Sequence, residues 1–166
     1  MTFPPVPAGY CDRMPPHAEA VDLVVAGMDV RNREILLSPD AAQRWAGMER
    51  EARAGGVILL LLSGYRSHAY QAKIIERKVR AGQSWEDILR VSAYPGHSEH
   101  HTGRAIDVGT PECPPLTELF AETQAFRWMQ AHAFRYQFYL SYPVGNNAGV
   151  IYEPWHWYLR EERPQT

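Results

Sequence analysis

The most apolar run in the chain is Val57–Leu62, which reads VILLLL between Gly55-Gly56 and Ser63-Gly64. A short apolar run between glycines is typical of a buried strand. Just before it, Ser38-Pro39-Asp40 offers a capping serine, a proline for the first turn and an acid near the positive helix end. Apolar residues then recur at helical spacing as far as the glycine pair, so the pattern predicts a helix followed by a buried strand.

The same pattern predicts further elements along the chain. A helix is expected over 68–80, and Ser84 with Asp87 resembles the capping box of a short helix that reaches Val91. Later come a strand with alternating faces, a helix, a second strand and, after a glycine-rich turn, a strand that pairs back: residues 104–108, 122–133, 137–142 and 150–153. The stretch 20–37 mixes short apolar runs with turn residues and predicts no definite element.

Helices come first in this order, and the later strands lie close together in sequence. That arrangement favours an α+β fold, a single domain with a small antiparallel sheet flanked by helices. A chain of 166 residues is long enough to bury one core. Residues 1–20, which begin rich in proline, are expected to form an extended N-terminal segment, and residues 21–166 the single domain.

Composition narrows the classes of function. A net charge of −2 provides no positive surface for nucleic acid or an anionic membrane. No stretch approaches the ~20 apolar residues that a membrane span needs. The N-terminus does not resemble a signal peptide, which favours the cytoplasm, with the cell envelope as the alternative if the protein is trimmed or exported by another route. Cys11 and Cys113 have no metal-binding spacing, and we expect them to be reduced.

Candidate chemistry lies in two short stretches. The first, S-E-H-H-T-G-R-A-I-D, places His100 in a loop rich in glycine and proline, and Asp107 on the strand that follows. Imidazole and carboxylate suit zinc, which needs a third protein ligand. The second, I-Y-E-P-W-H-W, offers His156 three residues after Glu153. One acid beside one histidine ligand matches zinc hydrolases, in which the acid acts as general base toward the attacking water.

These stretches have the pattern S-x-H-x-x-G-x-A-x-D followed by E-x-x-H, and S-G-Y-R-S-x-x-x-Q precedes them at 63–71. The chain therefore resembles the zinc D,D-peptidases of the VanY type over about residues 57–157. That group contains D-alanyl-D-alanine carboxypeptidases, related dipeptidases and L,D-carboxypeptidases. The resemblance implies a fold of the Hedgehog/D,D-peptidase type with a zinc site in a cleft on the sheet. It also implies one Zn²⁺ per chain, held by His100, Asp107 and His156.

The resemblance also suggests roles for other residues. Glu153 would be the general base, and Arg66 would stabilise the charge that develops on the scissile carbonyl. Gln71 and Ser98 are candidate substrate-binding residues. The alternatives are a capping or packing amide for Gln71 and a loop-shaping role for Ser98. His101 stands at a variable position and is expected to support the ligands or to face solvent.

The predicted function is removal of a terminal D-alanine from a peptidoglycan-type stem peptide or precursor. The alternatives are an L,D-carboxypeptidase, a D-Ala-D-Ala dipeptidase, a phage-type peptidoglycan peptidase, and a non-catalytic binding module that keeps zinc. Glu153 argues against the last, because a dead enzyme can lose its base without losing the metal. No G-x-S-x-G or H-E-x-x-H motif supports another hydrolase class. Two departures from the family pattern, at Gln137 and at Tyr158-Leu159, leave detailed specificity open.

Overall fold

A computed structural model describes residues 3–161 of the chain. Within them the strands are β1 (Val24–Met28), β2 (Glu34–Leu37), β3 (Leu60–Ser63), β4 (Ala105–Gly109), β5 (Phe138–Leu140) and β6 (His156–Leu159). The α-helices are α1 (Tyr10–Arg13), α2 (Pro39–Ala54), α3 (His68–Arg80), α4 (Trp85–Val91) and α5 (Gln124–His132). Short 3₁₀ helices cover Glu99–Thr102, Glu118–Glu122 and Ala133–Tyr136.

Two of the predicted metal ligands, Asp107 and His156, lie on a four-stranded antiparallel sheet with the order β3-β4-β6-β5. Strands β1 and β2 form a separate antiparallel pair. In the centre of the larger sheet, the register between β4 and β6 places Asp107 opposite His156. The prediction of an α+β domain with a small antiparallel sheet is therefore confirmed.

One face of the sheet is apolar and packs on the main core, and the other face is polar. Ile106 and Val108 of β4, with Trp157 and Leu159 of β6, are buried in the main core against residues of α2 and α5. Asp107 lies between the two apolar residues of β4, so its side chain points to the opposite face. The alternation predicted for 104–108 is thus confirmed, and it places Asp107 on the polar face of the central strands.

Three predicted helices form, and the expected caps of two of them, Ser38 and Ser84, are confirmed. The side chains of Ser38, Ser67 and Ser84 accept hydrogen bonds from the backbone N–H groups of the first turns of α2, α3 and α4. Each serine satisfies a donor that the helix itself leaves unpaired. Each helix start depends on residues that are close together in the sequence. A sequence pattern can therefore predict where these helices begin.

Two strand predictions are wrong in part. The run Val57–Leu62 was expected to be a buried strand, but β3 begins only at Leu60, which is 39% exposed. The cause is position, because β3 lies at the edge of its sheet. The segment 150–153 forms no strand, since Ile151 donates its N–H to Arg90 and Glu153 donates its N–H to Tyr142. The final strand is β6, beyond Pro154.

One departure from the family pattern has a backbone explanation. Gln137 stands where glycine is common, and it has a φ of 61°, in the left-handed region that favours glycine. It caps the 3₁₀ helix Ala133–Tyr136 and leads into β5. The change therefore affects a chain turn rather than the ligand cluster.

The N-terminal segment is packed rather than simply extended along the surface. Tyr10 and Met14 are buried and form a second apolar cluster with Tyr142. The Tyr10 hydroxyl accepts a hydrogen bond of 2.9 Å from the backbone N–H of Tyr94. The division of the chain at residue 20 stays a prediction, but α1 is part of the packed structure.

Backbone hydrogen bonds tie the same segment to the loop that carries His100. They join His17 N–H to Gly96 O at 2.7 Å and Ala20 N–H to His101 O at 2.8 Å. The Nδ1 atom of His97 also lies 2.7 Å from the Met14 carbonyl oxygen. The segment therefore supports the metal loop from outside.

Replacing Tyr10 by alanine is expected to lower the free energy of unfolding by about 3 kcal/mol, as is typical when a buried aromatic side chain is removed. Urea denaturation measures the change. Cys11→Ala is the matched control, because Cys11 is exposed in the same helical turn. An equal, small effect of both substitutions would show that the segment does not contribute to stability.

The described part of the chain, residues 3–161, contains no helix long and apolar enough to cross a bilayer. Cys11 is exposed and Cys113 is half-buried. Both are free thiols in this structure, as the sequence led us to expect.

Candidate metal centre

The three predicted ligands meet on the polar face of the sheet. One ligand atom from each of His100, Asp107 and His156 lies within 4.8 Å of the other two. All three side chains are buried, with 2–5% of each exposed. Strand pairing supplies Asp107 and His156, whereas His100 comes from the 3₁₀ helix before β4.

The loop around His100 is shaped by its neighbours in sequence. The Ser98 side chain accepts a hydrogen bond of 3.3 Å from the His100 backbone N–H and caps the 3₁₀ helix. Gly103 ends that helix with a φ of 67°, and a Cβ atom there would lie 2.9 Å from the backbone nitrogen of Ser38. Ser98 thus has a clear loop-shaping role, and its predicted contact with substrate stays a prediction.

His100 is held in one orientation and as a neutral ring. Its Nδ1 lies 2.7 Å from the Gly64 carbonyl oxygen, so Nδ1–H donates and Nε2 is directed toward Asp107, 3.3 Å from Oδ1. Burial, reinforced by the positive charge of Arg66, lowers the pKa of His100 to about 4. A neutral imidazole with a free Nε2 lone pair is the form that binds a metal.

His156 is held by carboxylates on both sides of its ring. Nδ1 lies 3.2 Å from Asp107 Oδ1, and Nε2 lies 2.8 Å from Glu99 Oε2. Burial alone would lower the pKa of His156, but the hydrogen bonds to these two carboxylates raise it to about 10. Nδ1 faces Asp107 and is the nitrogen on the ligand side, and Nε2–H donates to Glu99.

Arg66 reaches the cluster from the loop between β3 and α3. Its Nη2 donates a hydrogen bond of 2.7 Å to Asp107 Oδ2 and lies 3.1 Å from His100 Nε2. The Nε–H donates to the Ser63 hydroxyl at 3.2 Å. The structure thus places the predicted arginine, with its positive charge, directly beside the ligands.

Glu153 lies next to the cluster, where the chain enters β6. Its Oε2 is 4.0 Å from His156 Nδ1, and the residue is 9% exposed. Burial outweighs the nearby positive charges and raises the pKa of Glu153 to about 7. A carboxylate with a pKa close to neutrality suits a general base.

Gln71 is buried on α3, and within residues 3–161 its side chain makes no hydrogen bond to the three ligands. Its Nε2 donates a hydrogen bond of 2.8 Å to the Ala93 carbonyl. Its Oε1 is buried and has no hydrogen-bond partner among residues 3–161. An unpaired buried acceptor is costly, so a donor from a bound ligand would be favourable there. The substrate-binding role of Gln71 stays a prediction that this oxygen supports.

Two residues beside the ligands, His101 and Glu99, have surroundings that the sequence left open or did not reveal. His101 is fully buried, so the expectation that it could face solvent is wrong. Its Nδ1 lies 2.6 Å from the Arg66 carbonyl oxygen, and its Nε2 accepts from the Gly96 N–H at 3.1 Å. Glu99 was also missed, although an acid beside a ligand histidine inside the motif was a usable signal.

Two imidazole nitrogens and one carboxylate oxygen, buried and converging, fit a zinc ion with three protein ligands. The hydrogen bonds to Gly64 and Glu99 fix both rings with one nitrogen facing the cluster. The donor set therefore suits one Zn²⁺ with a coordination position left for a reactant.

Comparison with known proteins agrees with this geometry. The profile of the VanY family, described as D-alanyl-D-alanine carboxypeptidase, matches residues 34–160. A D-alanyl-D-alanine carboxypeptidase of Enterococcus faecium is 30% identical over 139 residues, which are 81% of this chain and 41% of that protein. The chain spans about half the length of the curated relatives it matches.

Solved structures share the fold. The LdcB LD-carboxypeptidase, whose structure reveals the basis of its peptidoglycan recognition, superposes with a TM-score of 0.78 at 30% identity, covering 88% of this chain and 72% of LdcB. A variant of a vancomycin-resistance D,D-pentapeptidase VanY, in complex with Zn(II), has a TM-score of 0.64 at 25% identity. That match covers 93% of this chain and 82% of the VanY chain.

Proposed function

Because the chain belongs to the VanY family of D-alanyl-D-alanine carboxypeptidases, we propose that it is a zinc-dependent D,D-carboxypeptidase. Its substrate would be a stem peptide of the peptidoglycan type, from which it removes the terminal D-alanine. One observation carries the proposal: the buried cluster of His100, Asp107 and His156 has a carboxylate, Glu153, 4.0 Å from a ligand nitrogen. That arrangement combines a metal site with a general base.

His100, Asp107 and His156 would hold the zinc. When bound, zinc lowers the pKa of a water molecule and polarises a carbonyl group. Glu153 accepts a proton from the water molecule while the water oxygen attacks the carbonyl carbon of the last peptide bond. The same carboxylic acid then delivers the proton to the nitrogen of the departing D-alanine, so the base is restored after each turnover.

Arg66 stabilises the negative charge that develops on the carbonyl oxygen. Its backbone is fixed on both sides, because its N–H donates to the His100 carbonyl at 3.1 Å and its carbonyl oxygen is bonded to His101. The guanidinium itself is held by Ser63 and Asp107. It therefore needs little rearrangement when charge appears, which is the condition for electrostatic stabilisation of a transition state.

Arg66→Lys is expected to lower kcat by ~10²–10³-fold, the loss typical of removing one donor to an oxyanion. A lysine ammonium is a point charge and cannot reproduce the planar contacts to Ser63 and Asp107. Steady-state kinetics at saturating zinc measures the change. Arg53→Lys is the control, because Arg53 pairs with Glu49 on the exposed side of α2. Wild-type kcat in Arg66→Lys would remove this arginine from the mechanism.

Solved relatives support the choice of substrate. VanYB has been solved in complex with D-alanine-D-alanine, and the structure of LdcB concerns peptidoglycan recognition. For this chain we therefore propose that the D-Ala-D-Ala end of a stem peptide binds at the cluster of His100, Asp107 and His156. A cytoplasmic location stays a prediction.

The substrate is tested with three compounds incubated separately with zinc-loaded protein and analysed by mass spectrometry. They are a pentapeptide that ends in D-Ala-D-Ala, the tetrapeptide that ends in one D-alanine, and free D-Ala-D-Ala. Loss of one alanine from the pentapeptide alone supports the proposal. Cleavage of the tetrapeptide alone would make the protein an L,D-carboxypeptidase, and cleavage of the dipeptide alone would make it a dipeptidase. No cleavage of any compound would leave a binding module.

A further inference from the structure

We infer that Glu99 is a positioning residue that fixes His156 as a metal ligand. The inference rests on the zinc centre of the proposed function, but it concerns a residue outside the ligand set and outside the catalytic pair. Glu99 contacts neither the peptide nor the attacking water in this scheme. It acts through the far nitrogen of His156.

The contact is short and buried. Glu99 Oε2 lies 2.8 Å from His156 Nε2, and the exposed fractions of the two side chains are 14% and 5%. The same oxygen accepts a hydrogen bond of 2.6 Å from the Ser141 hydroxyl. A buried carboxylate is stable only when it is paired in this way. Its two partners are the metal ligand His156 and Ser141.

The position of Glu99 in the fold links the ligands to one another. It belongs to the same 3₁₀ turn as His100. One turn therefore supplies the ligand His100 and also the carboxylate that supports the ligand His156. Ser141 follows β5, and its N–H donates to the His156 carbonyl at 3.4 Å. Glu99 therefore joins the metal loop to the β5–β6 side of the sheet through the ring of His156.

The two histidines are supported differently. The far nitrogen of His100 is bonded to a neutral carbonyl, that of Gly64, whereas the far nitrogen of His156 is bonded to the Glu99 carboxylate. A carboxylate fixes the tautomer with hydrogen on Nε2 and makes the ring a stronger electron donor at Nδ1. Without it, Nε2–H would lose its acceptor, and His156 would be free to adopt the other tautomer.

Glu99→Gln tests the inference, because glutamine has nearly the same size but no charge. We expect the affinity for zinc, measured by competition with a chromophoric chelator, to fall ~10–100-fold. At limiting zinc, kcat should fall with the occupied fraction, and KM should stay unchanged. Saturating zinc should restore most of the kcat. Ser141→Ala keeps the carboxylate and is expected to have a smaller effect.

A spectroscopic measurement separates positioning from a purely structural role. In zinc-loaded protein labelled with ¹⁵N-histidine, the His156 Nε2–H proton should resonate far downfield, because it is bonded to a carboxylate. In Glu99→Gln we expect the signal to move upfield. If Glu99→Gln folds poorly, Glu99→Asp provides the same test, since its carboxylate is one carbon too short to reach Nε2.

Wild-type zinc affinity with an unshifted proton in either variant would overturn the inference and leave Glu99 as a packing residue. These measurements need no substrate. Absence of peptide cleavage, or of zinc binding by the wild type, would therefore count against the proposed function. Unchanged zinc affinity in the Glu99 variants would count against the role of Glu99.

Discussion

Glutamine in place of Glu153 is expected to lower kcat by ~10²–10⁴-fold, the usual contribution of a general base, while the protein keeps its fold and its zinc. Glutamine has the shape of glutamate but cannot accept a proton from water. Glu153 is suited to that step because it is buried, has a pKa of about 7 and lies 4.0 Å from a ligand nitrogen. Release of D-alanine from the pentapeptide measures kcat, and elemental analysis measures zinc.

The control is Glu112→Gln, which changes an exposed acid in the loop after β4. It should leave both kcat and zinc content unchanged. If Glu153→Gln turned over at the wild-type rate with zinc bound, another group would have to take the proton. If wild type and variant were equally inactive, the zinc site would belong to a binding module.

The ligand set could be predicted because each ligand lies in a short motif that resembles the VanY-type pattern. His100 follows the capping serine Ser98, and Asp107 lies on β4 shortly after Gly103, which ends the 3₁₀ helix. What sequence could not show is the register that places Asp107 opposite His156. These residues are far apart in the chain, and only the pairing of β4 with β6 brings them together.

Helices were located more reliably than strands for the same reason. The caps of α2, α3 and α4 are formed by residues within a few positions of the helix start. Strands depend on neighbours. The run Val57–Leu62 looked buried, yet β3 lies at the edge of its sheet. The hairpin of β1 and β2 was not assigned, because its apolar residues are interrupted by turn residues and most of its strand residues are exposed or half-buried.

Side chains that support the site were the hardest to predict. For His101 the sequence left a supporting role and a solvent-facing one open, and the fold buries it between the Arg66 carbonyl and the Gly96 N–H. The N-terminal segment lies outside the region matched by the family profile, yet it is bonded to the metal loop. Such contacts join distant parts of the chain, and no local spacing encodes them.

Loss of a ligand should have the largest effect on metal content. We expect His156→Ala to reduce zinc from about one per chain, as three protein ligands imply, to a trace after dialysis. Activity should fall below detection. Two effects combine, because alanine removes the Nδ1 ligand and also leaves the buried carboxylates of Glu99 and Asp107 without the imidazole between them. Buried charges that lose a partner are costly and disturb the remaining ligands.

Wild-type protein stripped with EDTA provides the comparison for this variant. Added zinc should restore activity to the stripped wild type but not to His156→Ala, and circular dichroism should show that both keep their secondary structure. His132→Ala, at the end of α5 and outside the ligand cluster, should bind zinc as wild type does. Wild-type zinc affinity in His156→Ala would show that the metal, if bound, is held elsewhere, and the assignment of the centre to the β4–β6 face would be wrong.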